Sequence, residues 1–127
     1  MREYQPADKK YIYESLRSEG LSDNEMTFET DKTFLTDYGF FSYRMEHGYP
    51  FLTHFYVDKN KRSTRNALSL YRLFKQQIIS EGHKAFIAEV MNKKAYLEKF
   101  IKWLGRRKHY AEANNSKYYL IGVSKGE

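Results

Sequence analysis

The sequence predicts a single α/β domain, residues 1–127, built on a mixed sheet, and three observations carry that prediction. Apolar and β-branched runs of strand length alternate along the chain with segments of helical periodicity. One such run, Phe51 to Val57, passes through a short basic loop, Asp58 to Arg65, straight into a helical segment from about Asn66 to Glu81. The chain then returns to another strand, which implies a right-handed crossover to a parallel neighbour.

Taken in order, Arg2 to Gln5 reads as a short strand that Pro6 ends. Asp8 is placed to cap a helix carrying Tyr11, Ile12, Ser15 and Leu16 on one face, and Gly20 is placed to close it. Ser22 followed by Glu25 forms a capping-box pattern, which predicts a second short helix from about Asp23 to Glu29. Thr33 to Glu46 is aromatic and β-branched with Gly39 in the middle, and reads as one strand or two. His47-Gly48-Tyr49-Pro50 is turn chemistry, so Gly39 to Glu46 and Phe51 to Val57 form an antiparallel hairpin. The helix after Arg65 places Ala67, Tyr71, Phe74 and Ile78 on one face, broadened by Leu70 and Leu73, and Gly82 ends it. Lys84 to Val90 is the next strand, and Lys93 to Leu104 a helix with Leu97, Phe100, Ile101 and Leu104 inward, stopped by Gly105. Strands Lys108 to Glu112 and Lys117 to Val123 finish the chain around the turn Ala113-Asn114-Asn115-Ser116.

Composition narrows the chemistry. The chain has 12 Tyr, 9 Phe and one Trp, so rings build much of the core. It has no Cys, which excludes a disulfide scaffold, a thiolate metal site and a Cys nucleophile. No apolar run reaches bilayer length and no leader pattern is visible, so a cytoplasmic protein without a membrane span is expected. With 22 Lys and Arg against 16 Asp and Glu, the net charge is +6, which suits an anionic ligand, nucleic acid or an acidic partner. Lys93, Lys94, Lys99, Lys102, Arg106, Arg107 and Lys108 concentrate charge on and after the last helix, where a solvated helix face is the plainer reading and an RNA or DNA partner the other. The RNP1 pattern of sheet-based RNA binders is absent. His47, His83 and His109 lack metal-ligand spacing, and there is no G-x-S-x-G or Walker loop.

The strongest chemical signal is the strand–loop–helix itself. A helix start presents unpaired N–H groups and partial positive charge, which is a place to hold phosphate. In order of elements and in this loop, the sequence resembles the GNAT superfamily of acetyl-CoA-dependent N-acetyltransferases. That family carries Q/R-x-x-G-x-G/A after its fourth strand, with an apolar residue, usually Val, five places earlier; here Val57 precedes Arg62-Ser63-Thr64-Arg65-Asn66-Ala67, with Arg65 in place of the middle Gly. The opening MREYQPADKKYIYESL, Asn92 with Ala95 after a strand, and Leu104-Gly105 match further family segments. The resemblance implies a GNAT-like, mostly antiparallel twisted sheet flanked by about four helices. It also implies coenzyme A held by the backbone of Arg62, Ser63, Thr64, Arg65, Asn66 and Ala67, with Asn92 beside the pantetheine arm. Main-chain N–H groups around Phe55 to Val57 would polarise the thioester carbonyl.

The family's thiolate-protonating Tyr has no direct counterpart, because counting from Gly105 gives Ile101 and counting from Asn92 gives Lys99. Tyr96 and Tyr110 are the candidate substitutes. The resemblance implies that Phe51 and Thr53 are the positions on the fourth strand that point to the acceptor, whereas His54 has the opposite parity and reads as packed. The resemblance therefore implies an N-acetyltransferase for a small-molecule or protein amine, monomeric or homodimeric. The alternative is a GNAT-fold binding or inhibitory module without transferase activity, of the compact divergent kind that also occurs in phages. The acceptor would be shaped by the segment from about Leu21 to Tyr38.

Overall fold

A computed structural model describes residues 1–91, 107–113 and 116–123. The expected helix Lys93 to Leu104, with Asn92 and Tyr96, lies outside the described residues. Seven strands, β1 (Arg2–Glu3), β2 (Lys32–Leu35), β3 (Gly39–Glu46), β4 (Tyr49–Val57), β5 (Ala85–Met91), β6 (Arg107–Ala113) and β7 (Ser116–Gly122), form one sheet in the order β1-β2-β3-β4-β5-β7-β6. Two α-helices are described, α1 (Lys9–Ser18) and α2 (Thr64–Ser80). The sheet is mostly antiparallel; β4 and β5 are the parallel pair, in register at Phe51↔Ile87 and Leu52↔Ala88. The mixed sheet follows from local chemistry. Gly20 and Gly82 take φ of +90°, where a side chain is strained, and each ends a helix. His47 and Gly48, at φ 53° and 83°, make a two-residue hairpin turn between β3 and β4. Strand β4 consequently resumes at Tyr49, two residues before the expected Phe51, with Pro50 buried inside it.

By contact, the chain divides into two compact units: residues 1–44 with 53–74, and residues 45–52 with 75–127. In the first, Ile12 and Leu16 of α1 bury against Phe28, Leu35, Phe40 and Tyr56. Phe41, Tyr43 and Phe74 stack edge-to-face nearby, with centroids 5.4 and 5.7 Å apart where α2 meets the strand rings. In the second, β5 pairs with β7 from Ala85↔Gly122 to Met91↔Ser116, and Phe86, Ile87, Ala88, Tyr119 and Ile121 are buried. The β6–β7 register slips between His109 and Ala111, so Tyr110 is the extra residue of a bulge.

Two helical expectations are corrected. Asp8 precedes α1 but makes no side-chain cap; its carboxylate takes the Gln5 N–H at 2.8 Å and both guanidinium arms of Arg2 at 2.7 Å, which holds it ionised below the usual carboxylate range. The helix expected from Asp23 to Glu29 is a single 3-10 turn, Asp23–Glu25, although Glu25 does accept the Ser22 N–H as the capping pattern requires. It stops because Phe28 is drawn into the core and the next free N–H, that of Thr27, goes to a side chain of β4.

Candidate functional site

The strand–loop–helix is built as the sequence requires. β4 ends at Val57, the Asp58 N–H bonds to the Tyr38 carbonyl at 2.8 Å, and a 3-10 turn, Lys59–Lys61, leads to an extended Arg62. Ser63 caps α2: its Oγ accepts the Asn66 N–H at 3.1 Å, and its carbonyl accepts the Ala67 N–H at 3.0 Å. The Asn66 side chain donates back to the Lys61 carbonyl at 2.7 Å, which fixes the loop's curvature from inside. Among the described residues the N–H groups of Thr64 and Arg65 have no acceptor, and the Arg65 side chain is exposed. Two open donors, a helix dipole and a free-standing guanidinium fit an anionic phosphate group.

Arg62 has a different task from its neighbours. Its Nε donates to the Val57 carbonyl at 2.9 Å, its guanidinium lies 5.4 Å from the centroid of the Tyr56 ring, and its terminal nitrogen pairs with Glu19 at the end of α1. The side chain thus ties the loop to β4 and α1, while the donors left open at the helix start are main-chain groups. At the same end of β4, Tyr11 of α1 donates to Asp58, and burial with that carboxylate pushes its phenol well above the ordinary range.

On β4 the strand alternation places His54 and Tyr56 in the interior and leaves Phe51, Thr53 and Phe55 half-buried, as the parity requires. His54 is 5 % exposed, and its Nε2 accepts the Thr27 N–H at 3.1 Å. Burial lowers its pKa, Asp31 opposes that and Arg44 adds to it, so the ring is neutral and Nε2 is committed as an acceptor. Beside it, Thr27 Oγ1 and Thr53 Oγ1 both donate to the same oxygen of Asp31, at 2.5 and 2.7 Å. This carboxylate was not singled out by the sequence; the signal available was Thr27 and Asp31 one turn apart, opposite a hydroxyl of β4. Elsewhere, Tyr118 of β7 packs its ring on Phe51, centroids 6.1 Å apart, and points its hydroxyl at Glu89, 3.4 Å away; burial and that charge raise its pKa.

Of the residues expected to act, Phe55, Val57 and Arg62 through Ala67 come together at the β4–α2 junction. Tyr110 is placed by its backbone at the β6 bulge, and Tyr96 and Asn92 lie outside the described residues. No group of metal-ligating side chains occurs among the described residues, and no described helix is long and apolar enough to cross a membrane.

With the mixed sheet, its short parallel β4–β5 pairing and the helix start after β4 established, comparison with solved structures is decisive. The chain has the GNAT fold. An acetyltransferase of the GNAT family from Staphylococcus aureus Mu50 superposes with a TM-score of 0.76 at 12% identity, over 96% of this chain and 97% of its own. A Bacillus anthracis protein assigned as a streptothricin acetyltransferase, in complex with acetyl-coenzyme A, matches at 0.60 and 14% identity, over 76% of this chain and 68% of its own. N-acetylglutamate synthase from Neisseria gonorrhoeae, complexed with coenzyme A and N-acetyl-glutamate, matches at 0.70 and 12% identity; the likeness covers 98% of this chain and 35% of the synthase. No protein-family model and no curated sequence matches the chain. The GNAT likeness therefore rests on shape rather than on sequence.

Proposed function

We propose that the protein is an N-acetyltransferase that uses acetyl-coenzyme A and an amine acceptor. One observation carries the reading: within a GNAT fold, the loop after β4 opens onto two N–H groups, Thr64 and Arg65, that have no acceptor among the described residues, at the start of a 17-residue helix. In this reading those donors and the Arg65 guanidinium hold the pyrophosphate, while Ser63, Asn66 and Arg62 keep the loop in shape. Arg65 stands where a Gly would let the backbone approach closest, and supplies a charge-assisted hydrogen bond instead.

Bound acetyl-coenzyme A supplies an already activated thioester, so the protein's work is orientation and polarisation. Main-chain N–H groups in the Phe55 to Val57 stretch are assigned to the carbonyl oxygen, a role that survives divergence because it needs no particular side chain. By resemblance alone, Asn92 is assigned to the pantetheine arm, and Tyr96 or Tyr110 to protonation of the departing thiolate. His54 is excluded as the base for the incoming amine, because its Nε2 is occupied and buried. An amine that arrives deprotonated, or loses its proton to water, needs none.

Titration calorimetry tests the cofactor assignment. Arg65→Glu is expected to weaken acetyl-coenzyme A binding by at least tenfold with an unchanged melting temperature, since Arg65 is exposed. Equal affinity of the variant and the parent protein would remove this loop from the site. Arg62 is a poorer probe, because its substitution also releases β4 from α1. A second reading, the fold without turnover, is favoured by Ile101 and Lys99 at the positions of the family's Tyr; cofactor binding without acetylation of any amine would select it.

A further inference from the structure

Helix α1 supplies no donor to the helix start after β4, yet two of its contacts end on the loop that leads there. Near the start of α1, the Tyr11 hydroxyl donates to the carboxylate of Asp58, the first residue after β4. Just past its end, Glu19 pairs with Arg62, the last residue before the Ser63 cap. Between these two anchors, the Lys61 N–H bonds to the Asp58 carbonyl at 2.9 Å, and the Lys61 carbonyl takes the Asn66 side chain at 2.7 Å. A continuous chain of hydrogen bonds thus runs from Tyr11 through Asp58 and Lys61 to Asn66, in the turn of α2 that carries the Thr64 and Arg65 N–H groups. The Tyr11 ring is held separately, edge-on to Phe40 with centroids 5.8 Å apart, so removal of the hydroxyl leaves that packing in place. Burial and the Asp58 carboxylate raise the phenol's pKa, which keeps the hydroxyl a donor.

We infer that Tyr11 is a positioning residue: through Asp58 it holds the loop after β4 in the shape that leaves the Thr64 and Arg65 N–H groups open together. The inference rests on the transferase reading for what those groups hold. The loop needs such a fixing, because Lys59, Lys61, Arg62 and Arg65 crowd like charges into one short stretch that would otherwise spread. The bond from Tyr11 is charge-assisted, and it anchors the end of the loop opposite the Arg62–Glu19 pair. A ligand that meets the loop already shaped does not have to order it on binding. A loop released at Asp58 is competent for only a fraction of the time, and the apparent affinity falls by that fraction.

The test is titration calorimetry of acetyl-coenzyme A with the parent chain, Tyr11→Phe, Asp58→Ala and the double variant. Tyr11→Phe is expected to weaken binding about fivefold, at an unchanged melting temperature, because the competent fraction of the loop falls while the core does not change. In the Asp58→Ala background the same substitution should change nothing, since its partner is gone. In steady-state acetylation the loss should appear in KM for acetyl-coenzyme A with kcat unaltered. Equal affinity of Tyr11→Phe and the parent overturns the inference. An equal loss in both backgrounds overturns it too, because the hydroxyl then acts elsewhere. A lowered melting temperature with affinity preserved assigns Tyr11 to packing alone and also overturns it. Amide exchange at Lys61 and Asn66, followed without ligand, keeps the two readings apart. Acetyl-coenzyme A that fails to bind the parent overturns the transferase reading, and the exchange then decides the role of Tyr11: faster in Tyr11→Phe supports it, unchanged refutes it. Should Tyr11→Phe fail to fold, exchange in Asp58→Ala, which leaves α1 intact, takes its place with the same two outcomes.

Discussion

Gly39 offers the sharpest test of how the end of β4 is held. A Cβ built on it would lie 2.0 Å from the Tyr56 carbonyl oxygen and 3.0 Å from both the Tyr56 carbonyl carbon and Val57 Cα. All three are backbone atoms, so no side-chain rotation relieves the overlap, and only separation of β3 from β4 by more than an ångström would. Such a shift strains the Asp58 N–H bond to Tyr38 at 2.8 Å and the Thr36–Gly39 exchange at 2.8 and 3.1 Å. Overpacking costs about 1–3 kcal/mol and each lost hydrogen bond about 1 kcal/mol, so Gly39→Ala is expected to destabilise the fold by about 2–4 kcal/mol. At this chain length that corresponds to a melting temperature lower by about 8–16 °C in differential scanning calorimetry. Gly20→Ala is the control: its φ is +90° but nothing lies within 4 Å of the added Cβ, so it carries backbone strain alone, about 1 kcal/mol. A Gly39→Ala protein that melts within about 3 °C of the parent, or no lower than the Gly20 variant, would refute the steric reasoning.

Two further outcomes are expected. Because burial lowers the His54 pKa in the folded state, the unfolded chain binds the proton more readily. Stability is then greatest above the unfolded value near 6.5 and is lost as pH falls from there towards the folded pKa. Melting temperatures between pH 7.5 and 5 should fall, and His54→Gln, which keeps an acceptor for the Thr27 N–H, should flatten that slope; an unchanged slope would assign the pH dependence elsewhere. For the thiolate-protonating role, Tyr96→Phe and Tyr110→Phe are compared by steady-state acetylation. The variant lacking the acid should lose about 10²-fold in kcat with KM for acetyl-coenzyme A unaltered, and two variants at parental kcat would dismiss both tyrosines.

What the sequence disclosed, and what it hid, divides by range. Local signals were readable: Gly20 and Gly82 at helix ends, the two-residue turn at His47-Gly48, and the apolar face of α2, of which Leu70, Tyr71, Phe74 and Ile78 are buried. The strand–loop–helix after β4 was legible because its shape is set locally at a helix start, by Ser63 and Asn66 within a few residues. Partners distant in the chain were not. The helix expected beyond Glu25 fails because Thr27 is claimed by His54, 27 residues on. Likewise Asp31 is oriented by Thr53, 22 residues away, and Gly39, which looked like an interruption within a strand, marks where backbone meets backbone. Parity on β4 correctly separated His54 from Thr53, but no periodicity shows which side chain will cross from a loop to meet them.

The clamp made by Arg62 has a thermodynamic consequence. Glu19, on which it closes, sits at the C-terminal end of α1, 43 residues earlier in the chain. A ligand that tightens the loop after β4 also biases Arg62 towards Glu19, and anything that recruits Glu19 away must loosen that loop by the same free energy. The end of α1 and the loop are thus joined through one ion pair, and removing either partner is felt at both.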